Sequence, residues 1–212
     1  MWGGGDQGRV NWHILQSLGC EIVAFVDDTP GLKSPFPSTP LFAGWKELEP
    51  WLQEQDVSTL GFIAAIGNPY GHVRCRLHDL LSGSGMMPVS FADPTALLCR
   101  TLKFGPGLQV MAHAIAHNDA VIGRQCLLNT RSLVEHDCVL EDGVEIGPGA
   151  VLCGRVHVGA FTWIGAAATV RPRVTIGRNA IVGAGSVVVS DIPDNVVAYG
   201  VPAKPVRKNV IG

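Results

Sequence analysis

From Val110 onward every sixth residue is aliphatic: Val110, Ala116, Ile122, Leu128, Val134, Leu140, Ile146, Leu152, Val158, Ile164, Val170, Ile176, Val182 and Val188. Four residues after each stands a second small or apolar side chain, from Ala114, Ala120, Cys126, Ser132 and Cys138 through to Ala180, Ser186 and Ile192. A six-residue period marks a parallel β-helix. Each hexad supplies one short strand and one turn, and stacking the coils buries an aliphatic position that no coil buries alone. Three hexads close one triangular coil, so the ladder gives about 4.7 coils, and residues one coil apart stack along a common edge. Crossovers between parallel strands are otherwise right-handed; strict hexads are the exception and give a left-handed β-helix. Glycines directly after ladder positions, as in Ile146-Gly147 and Ile164-Gly165, are expected to supply positive φ at the corners.

The first ninety residues follow a different pattern. Helical periodicity over 9–18 ends at Gly19, and a buried-strand pattern over 21–26 closes in Asp27-Asp28. Residues 29–44 carry four prolines and read as an irregular loop. Helices follow at 45–55 and 69–81, with strands at 59–66 and 87–91. Strands alternating with helices predict a small parallel α/β sheet. The chain therefore divides into a Rossmann-like domain over 1–92 and an all-β prism over 93–212, handed over at Asp93-Pro94. The tail through Gly200-Val201-Pro202-Ala203-Lys204 leaves the ladder as a cap.

Charge narrows the function. The net charge is −2 and the pI about 6.4, which offers nucleic acid no basic surface. No apolar run approaches the ~18 residues that span a bilayer, and no basic stretch precedes an apolar one at the start, so the reading is a cytoplasmic protein without membrane insertion. The six cysteines form no CxxC pair or metal-ligand spacing, and no metal is expected. Cys126 and Cys138 fall on inward ladder positions, where a free thiol serves as a small hydrophobe.

Gly3-x-Gly5-x-x-Gly8 ahead of a helix is a phosphate-cradling pattern: glycines let the backbone approach closely, and a helix N-terminus attracts anions. Asp27 or Asp28, about twenty positions on, is placed to take ribose hydroxyls. Such a unit needs a strand before the glycines, and only Met1 and Trp2 precede them here. The other reading is a tight turn beside two solvated aspartates. Among the histidines, His13, His72 and His78 fall in helical stretches, His157 at a strand edge, and His113 and His117 in the first coil without converging as ligands. His136 differs. It lies two residues past Val134, projects outward at a corner shared with Asn118 and Gly154, and is followed by Asp137. A carboxylate there fixes the imidazole tautomer and raises its basicity. Acyl transfer from a thioester to an amine or hydroxyl needs such a base, and N–H groups of glycine-rich turns would meet the developing oxyanion. Spacing alone leaves two readings open, a general base or a corner-capping histidine.

Asn129-Thr130, Glu135-His136-Asp137-Cys138, Ile146-Gly147-Pro148-Gly149-Ala150 and Gly200-Val201-Pro202-Ala203-Lys204 together resemble one family. It is that of the bacterial sialic-acid O-acetyltransferases and nucleotide-aminosugar N-acetyltransferases, and the resemblance covers nearly the whole chain. It implies a homotrimer that uses acetyl-CoA to acetylate the amino group of a UDP- or GDP-linked amino-deoxysugar for a surface glycan. His136 then corresponds to the general base and Asp137 to the acid that tunes it. Gly5, Asp6, Gln7, Asp27, Asp28, Gly67 and Tyr70 correspond to positions that hold the nucleotide sugar. Ala166 and Ala184 correspond to positions whose backbone meets acetyl-CoA between neighbouring prisms. Three departures stand out: Asp6-Gln7 replaces Gly-His, Asp93-Pro94 replaces His-Pro, and Glu145 replaces a histidine near the thioester. The last is placed with the acyl-CoA contacts, where a carboxylate would repel an anionic donor or hold an amine. Sialic-acid-type O-acetylation and a non-catalytic nucleotide-sugar-binding trimer are the other readings. A nicotinamide oxidoreductase built on the glycine loop finds no hydride-transfer site in a β-helix.

Overall fold

The computed structural model describes residues 1–211. The aliphatic ladder becomes the inside of a three-sided prism. Each hexad forms a two-residue strand whose second side chain points inward, as in Leu133–Val134 and Glu145–Ile146. Strands one coil apart pair in parallel and in register, so Leu128 lies between Val110 and Ile146, and Ile164 between Ile146 and Val182. The chain visits three faces in turn. The first runs from Phe91–Ala92 through Gln109–Val110, Leu127–Leu128, Glu145–Ile146 and Trp163–Ile164 to Ile181–Val182. The second runs from Leu97–Leu98 to Val187–Val188, and the third from Lys103–Phe104 to Thr175–Ile176. The stack starts three hexads ahead of Val110, because Ala92, Leu98 and Phe104 continue the register. The expected hand-over at 92/93 thus falls just after the first strand of the prism. At this open end Leu97 and Phe104 stand exposed, which blurs the period.

The corners depart from expectation. Positive φ recurs at every sixth residue, three places past each ladder position, as at Asp119, Arg131, Asp137, Arg155 and Arg173. Gly147 and Gly165 adopt no such conformation. A Cβ on Gly147 would lie 2.6 Å from the Ile164 carbonyl, and one on Gly165 2.6 Å from the Ala184 nitrogen, so these glycines let successive coils touch. The left-handed residues are held by a repeated bond to the coil before. Asp137 N–H donates to Asn118 O at 3.1 Å, and Arg155 N–H to His136 O at 2.9 Å, which offsets the ~1–2 kcal/mol that a side chain costs in this region. Cys126 and Cys138 are fully buried. Burial pushes their thiols up to about 12 and about 11, so both are inert core residues. The tail strand Val196–Gly200 joins the first face and folds back antiparallel as Ala203–Lys208, closing the prism.

The first ninety residues form a parallel layer of β1 (Phe25–Val26), β2 (Leu41–Phe42), β3 (Gly61–Phe62) and β4 (Met87–Pro88) with helices α1 (Asp6–Ser17), α2 (Trp45–Gln53) and α3 (Gly71–Gly83). Trp2 bridges Val26 on one side and Ala64 on the other, so the two residues before the glycines supply the strand that the loop requires. The ladders are shorter than expected. Residues 21–23 lie outside β1 because Glu21 and Val23 face solvent, and the 59–66 run loses its first residue to a 3-10 turn at Val57–Thr59 and keeps only Gly61–Phe62 as a strand. Helix α1 begins at Asp6 rather than 9, capped by Gly5. No helix among the described residues is long and apolar enough to cross a membrane. The layer packs on the first face of the prism, where Ile14, Leu15, Ile63 and Ala65 meet Phe91, Met111 and Leu127. Asn11 Nδ2 donates to Gln109 Oε1 at 2.8 Å, and Gln109 Nε2 to Ala64 O at 2.8 Å.

Candidate active site

His136 stands on the edge between the second and third faces, above Asn118 and below Gly154. Its Nδ1 lies 2.8 Å from Asp137 Oδ2, to which Arg155 Nε also donates at 3.3 Å. Hydrogen bonds from His136 and then Arg155 hold the Asp137 carboxyl below its ordinary range, so it is ionised at neutral pH. A carboxylate at Nδ1 favours the tautomer with its proton there and leaves the Nε2 lone pair free. The ring lies flat across Gly154, where a Cβ would sit 2.5 Å from Nε2. The side chain is 52% exposed, open to an incoming ligand. Gly154 and Arg155 escaped sequence reasoning as site residues; their signal was the coil spacing to His136 and Asp137.

The glycine loop is built as its spacing demands. Gly3 has φ +109, and a Cβ on it would strike Ala65 O; a Cβ on Gly8 would strike Gly3 O. Asp27 closes the loop, its Oδ2 accepting from Gly4 N–H at 2.7 Å and its Oδ1 from Thr29 N–H at 2.9 Å. Burial works to raise this carboxyl, but the bonds from Thr29 and Gly4 outweigh it and hold it low. Asp28 is exposed beside Gly44, and Asp6 is exposed in the first turn of α1. Gln7 points toward Gly67 and toward Met111 of the prism, and Tyr70 is exposed at the N-cap of α3. Gln7 and Gly67 thus lie toward the edge between the first and second faces, whereas Tyr70 adjoins Gly71, which packs against Gly143 at the edge between the third and first faces.

The edge between the first and second faces also carries Ala166 and Ala184. Gly147, Pro148, Gly165, Ala166, Ala167, Gly183, Ala184 and Gly185 keep it low, and among the described residues the N–H groups of Ala166 and Ala184 donate to no protein acceptor. His136 is not brought to this edge within one chain. It sits on the edge opposite the first face, while the α/β layer covers that face.

Glu145 stands elsewhere than at an open thioester site. It is 2% exposed on the covered face, its Oε2 3.2 Å from Arg74 Nη1 and its Oε1 accepting from Asn68 Nδ2 at 3.2 Å. Burial pushes its carboxyl up against the opposing pull of Arg74, Asn68 and Asn129. Arg74, fully buried, also donates to the carbonyls of Gln125, Ile66 and Gly143. Neither Arg74 nor Asn68 emerged from the sequence. The available signal was a charged residue on the apolar stripe Gly71, Cys75, Leu77, Leu81 of α3, which calls for a buried counter-charge.

The bacterial transferase hexapeptide model (six repeats) matches residues 104–154 and 155–190. A galactoside O-acetyltransferase of Lactococcus lactis is 48% identical over 60 residues, 28% of this chain and 29% of that protein; the match thus spans less than a third of such curated relatives. Solved structures align over nearly the whole chain. A mutant GDP-perosamine N-acetyltransferase from Caulobacter crescentus, in complex with CoA and GDP-perosamine, is 35% identical over 97% of this chain and 94% of that one, with a TM-score of 0.89. The acetyltransferase domain of PglB from Neisseria gonorrhoeae, in complex with acetyl coenzyme A, is 27% identical over 97% of both chains, with a TM-score of 0.84. The ladder, the prism it builds and this end-to-end likeness make the chain a member of the bacterial hexapeptide-repeat acyltransferase family.

Proposed function

We propose that the protein is an acetyl-CoA-dependent N-acetyltransferase for the amino group of a UDP- or GDP-linked amino-deoxysugar. The observation that carries this reading is the His136–Asp137 pair, with Nε2 unpaired over Gly154 and half open to solvent. The Caulobacter crescentus likeness supports the substrate class. Residues 1–92 serve as the Rossmann-like nucleotide-sugar-binding domain, with the Gly3–Gly8 loop and the Gly67–Tyr70 segment as its contacts. Acetyl-CoA supplies the activated acyl group, and the low edge with the free N–H groups of Ala166 and Ala184 has the shape and donors to seat its amide-bearing arm.

A homotrimer is the assembly that this reading calls for. Base and glycine loop sit on opposite sides of one prism, so no single chain presents both to one substrate. The second face carries Leu97, Ile115, Leu133, Val151, Thr169 and Val187 in an outward column that is apolar but for Thr169, and closed cyclic symmetry would cover it. With three such faces on the axis, the His136 edge of one copy meets the Ala166 edge and α/β layer of the next. The amine arrives as the ammonium and sheds one proton to solvent. As the free amine nitrogen bonds to the thioester carbonyl carbon, His136 Nε2 takes its second proton, and His136 returns that proton to the departing sulfur as the carbon–sulfur bond breaks.

The test is release of free thiol from acetyl-CoA with UDP- and GDP-linked amino-deoxysugars, comparing the wild type with His136→Ala. The variant should lose roughly 10²–10⁴ in kcat; near-full activity would remove the base assignment. The 48% identity to a galactoside O-acetyltransferase favours hydroxyl acetylation as the second reading. Turnover on a sugar hydroxyl and on no amine would decide for it.

A further inference from the structure

Glu145 and Arg74 form an ion pair with side chains 2% and 0% exposed. Burying two charges gains little for stability alone, since a well-packed apolar pair does as well or better. The pair therefore invites a role beyond adhesion. Both Glu145 oxygens are engaged, one by Arg74 and one by Asn68, and Asn129 pulls its carboxyl down further. A carboxylate so enclosed has no free face for a thioester.

Its partners have something in common. Arg74 Nη1, besides meeting Glu145, donates to Ile66 O at 2.9 Å. Asn68 is exposed at its own position, yet its amide reaches inward to Glu145. One buried pair thus fixes residues 66 and 68 of the segment that carries Gly67 and Tyr70. Glu145 itself belongs to the prism, one strand residue before the edge that carries Gly147, Ala166 and Ala184. We propose that Glu145 is a positioning residue: through Asn68 and Arg74 it sets the Gly67–Tyr70 segment in a fixed place relative to the acyl-donor edge, and so registers the nucleotide sugar against the thioester. This rests on the functional reading above.

Asn68→Ala tests it, because it removes the loop's end of the link and leaves the buried pair whole. Calorimetry with a UDP- or GDP-linked amino-deoxysugar and separately with CoA gives two affinities, and amide exchange across 67–70 without ligand gives the order of the segment. The expected result is about tenfold weaker nucleotide-sugar binding, as for a lost bond to a charged group. CoA binding should stay unchanged and the segment's exchange should quicken. Wild-type sugar binding together with wild-type exchange overturns the inference and leaves the function intact. A loss confined to CoA binding also overturns it, returning Glu145 to the donor site. If the wild-type protein binds no nucleotide sugar, the functional reading fails, and the exchange measurement alone decides whether Glu145 holds the segment.

Discussion

The imidazole of His136 lies across a glycine, and that contact sets how much disturbance the proposed base tolerates. A Cβ at position 154 would sit 2.5 Å from Nε2 and 2.7 Å from Cε1. The ring would have to tilt off the coil and stretch its 2.8 Å bond to Asp137. Because the ring is half exposed it has room to move, so the fold should survive while the geometry does not. Gly154→Ala is expected to lower kcat by about 10²-fold, the scale of an ångström misplacement, with thermal midpoint and nucleotide-sugar affinity near wild type. Steady-state kinetics beside a melting curve separate the two, and an unimpaired kcat would show that the ring's position is immaterial. His136 and Asp137 were legible in the sequence because the hexad register gives each residue a corner coordinate. Glu145 was legible as unusual but not as buried, since the register says which face a residue is on and not what covers that face.

The strands of the prism stabilise one another through identical positions stacked coil on coil. Leu128 is fully buried between Val110 and Ile146. Parallel coils in register cannot collapse onto a void without breaking the ladder on either side. Leu128→Ala should therefore cost about 2–5 kcal/mol, as for large-to-small changes in packed cores, read as a lower denaturant midpoint at fixed protein concentration. A cost well under 1 kcal/mol would mean that the coils relax into the space. At this scale the two halves of the chain differ in how readable they were. The prism repeats one local rule, so its strands were found at the right places, and only the first three hexads were missed. In the α/β layer each ladder is two residues long, shorter than a hydrophobic period can resolve. Pairing partners rather than residue preferences decide where β1 and β3 stop.

At the scale of the whole molecule, the His136–Asp137 pair and the glycine loop of one chain lie on opposite sides of its prism, and the largely apolar second face is what would bring two copies together. Leu133→Asp puts a charge in the middle of that face without touching the prism core, because Leu133 points outward while Val134 fills the interior. The expected outcome is a shift from the proposed trimer to a monomer by sedimentation, with acetyl transfer lost and nucleotide-sugar binding retained by the separated chain. A monomer that stays fully active would refute the shared site. The hexad period alone determined the fold of the prism, the outward place of His136 and the burial of Cys126 and Cys138, because each follows from counting along a covalent chain whose repeat and turn geometry are local. Only the tertiary structure decided that Asp27 closes the glycine loop, that the corner glycines serve contact between coils, and that Glu145 answers Arg74. Those outcomes depend on which surfaces pack together: Arg74 and Glu145 are 71 residues apart in sequence, and burial away from water makes a charge seek its partner across that distance.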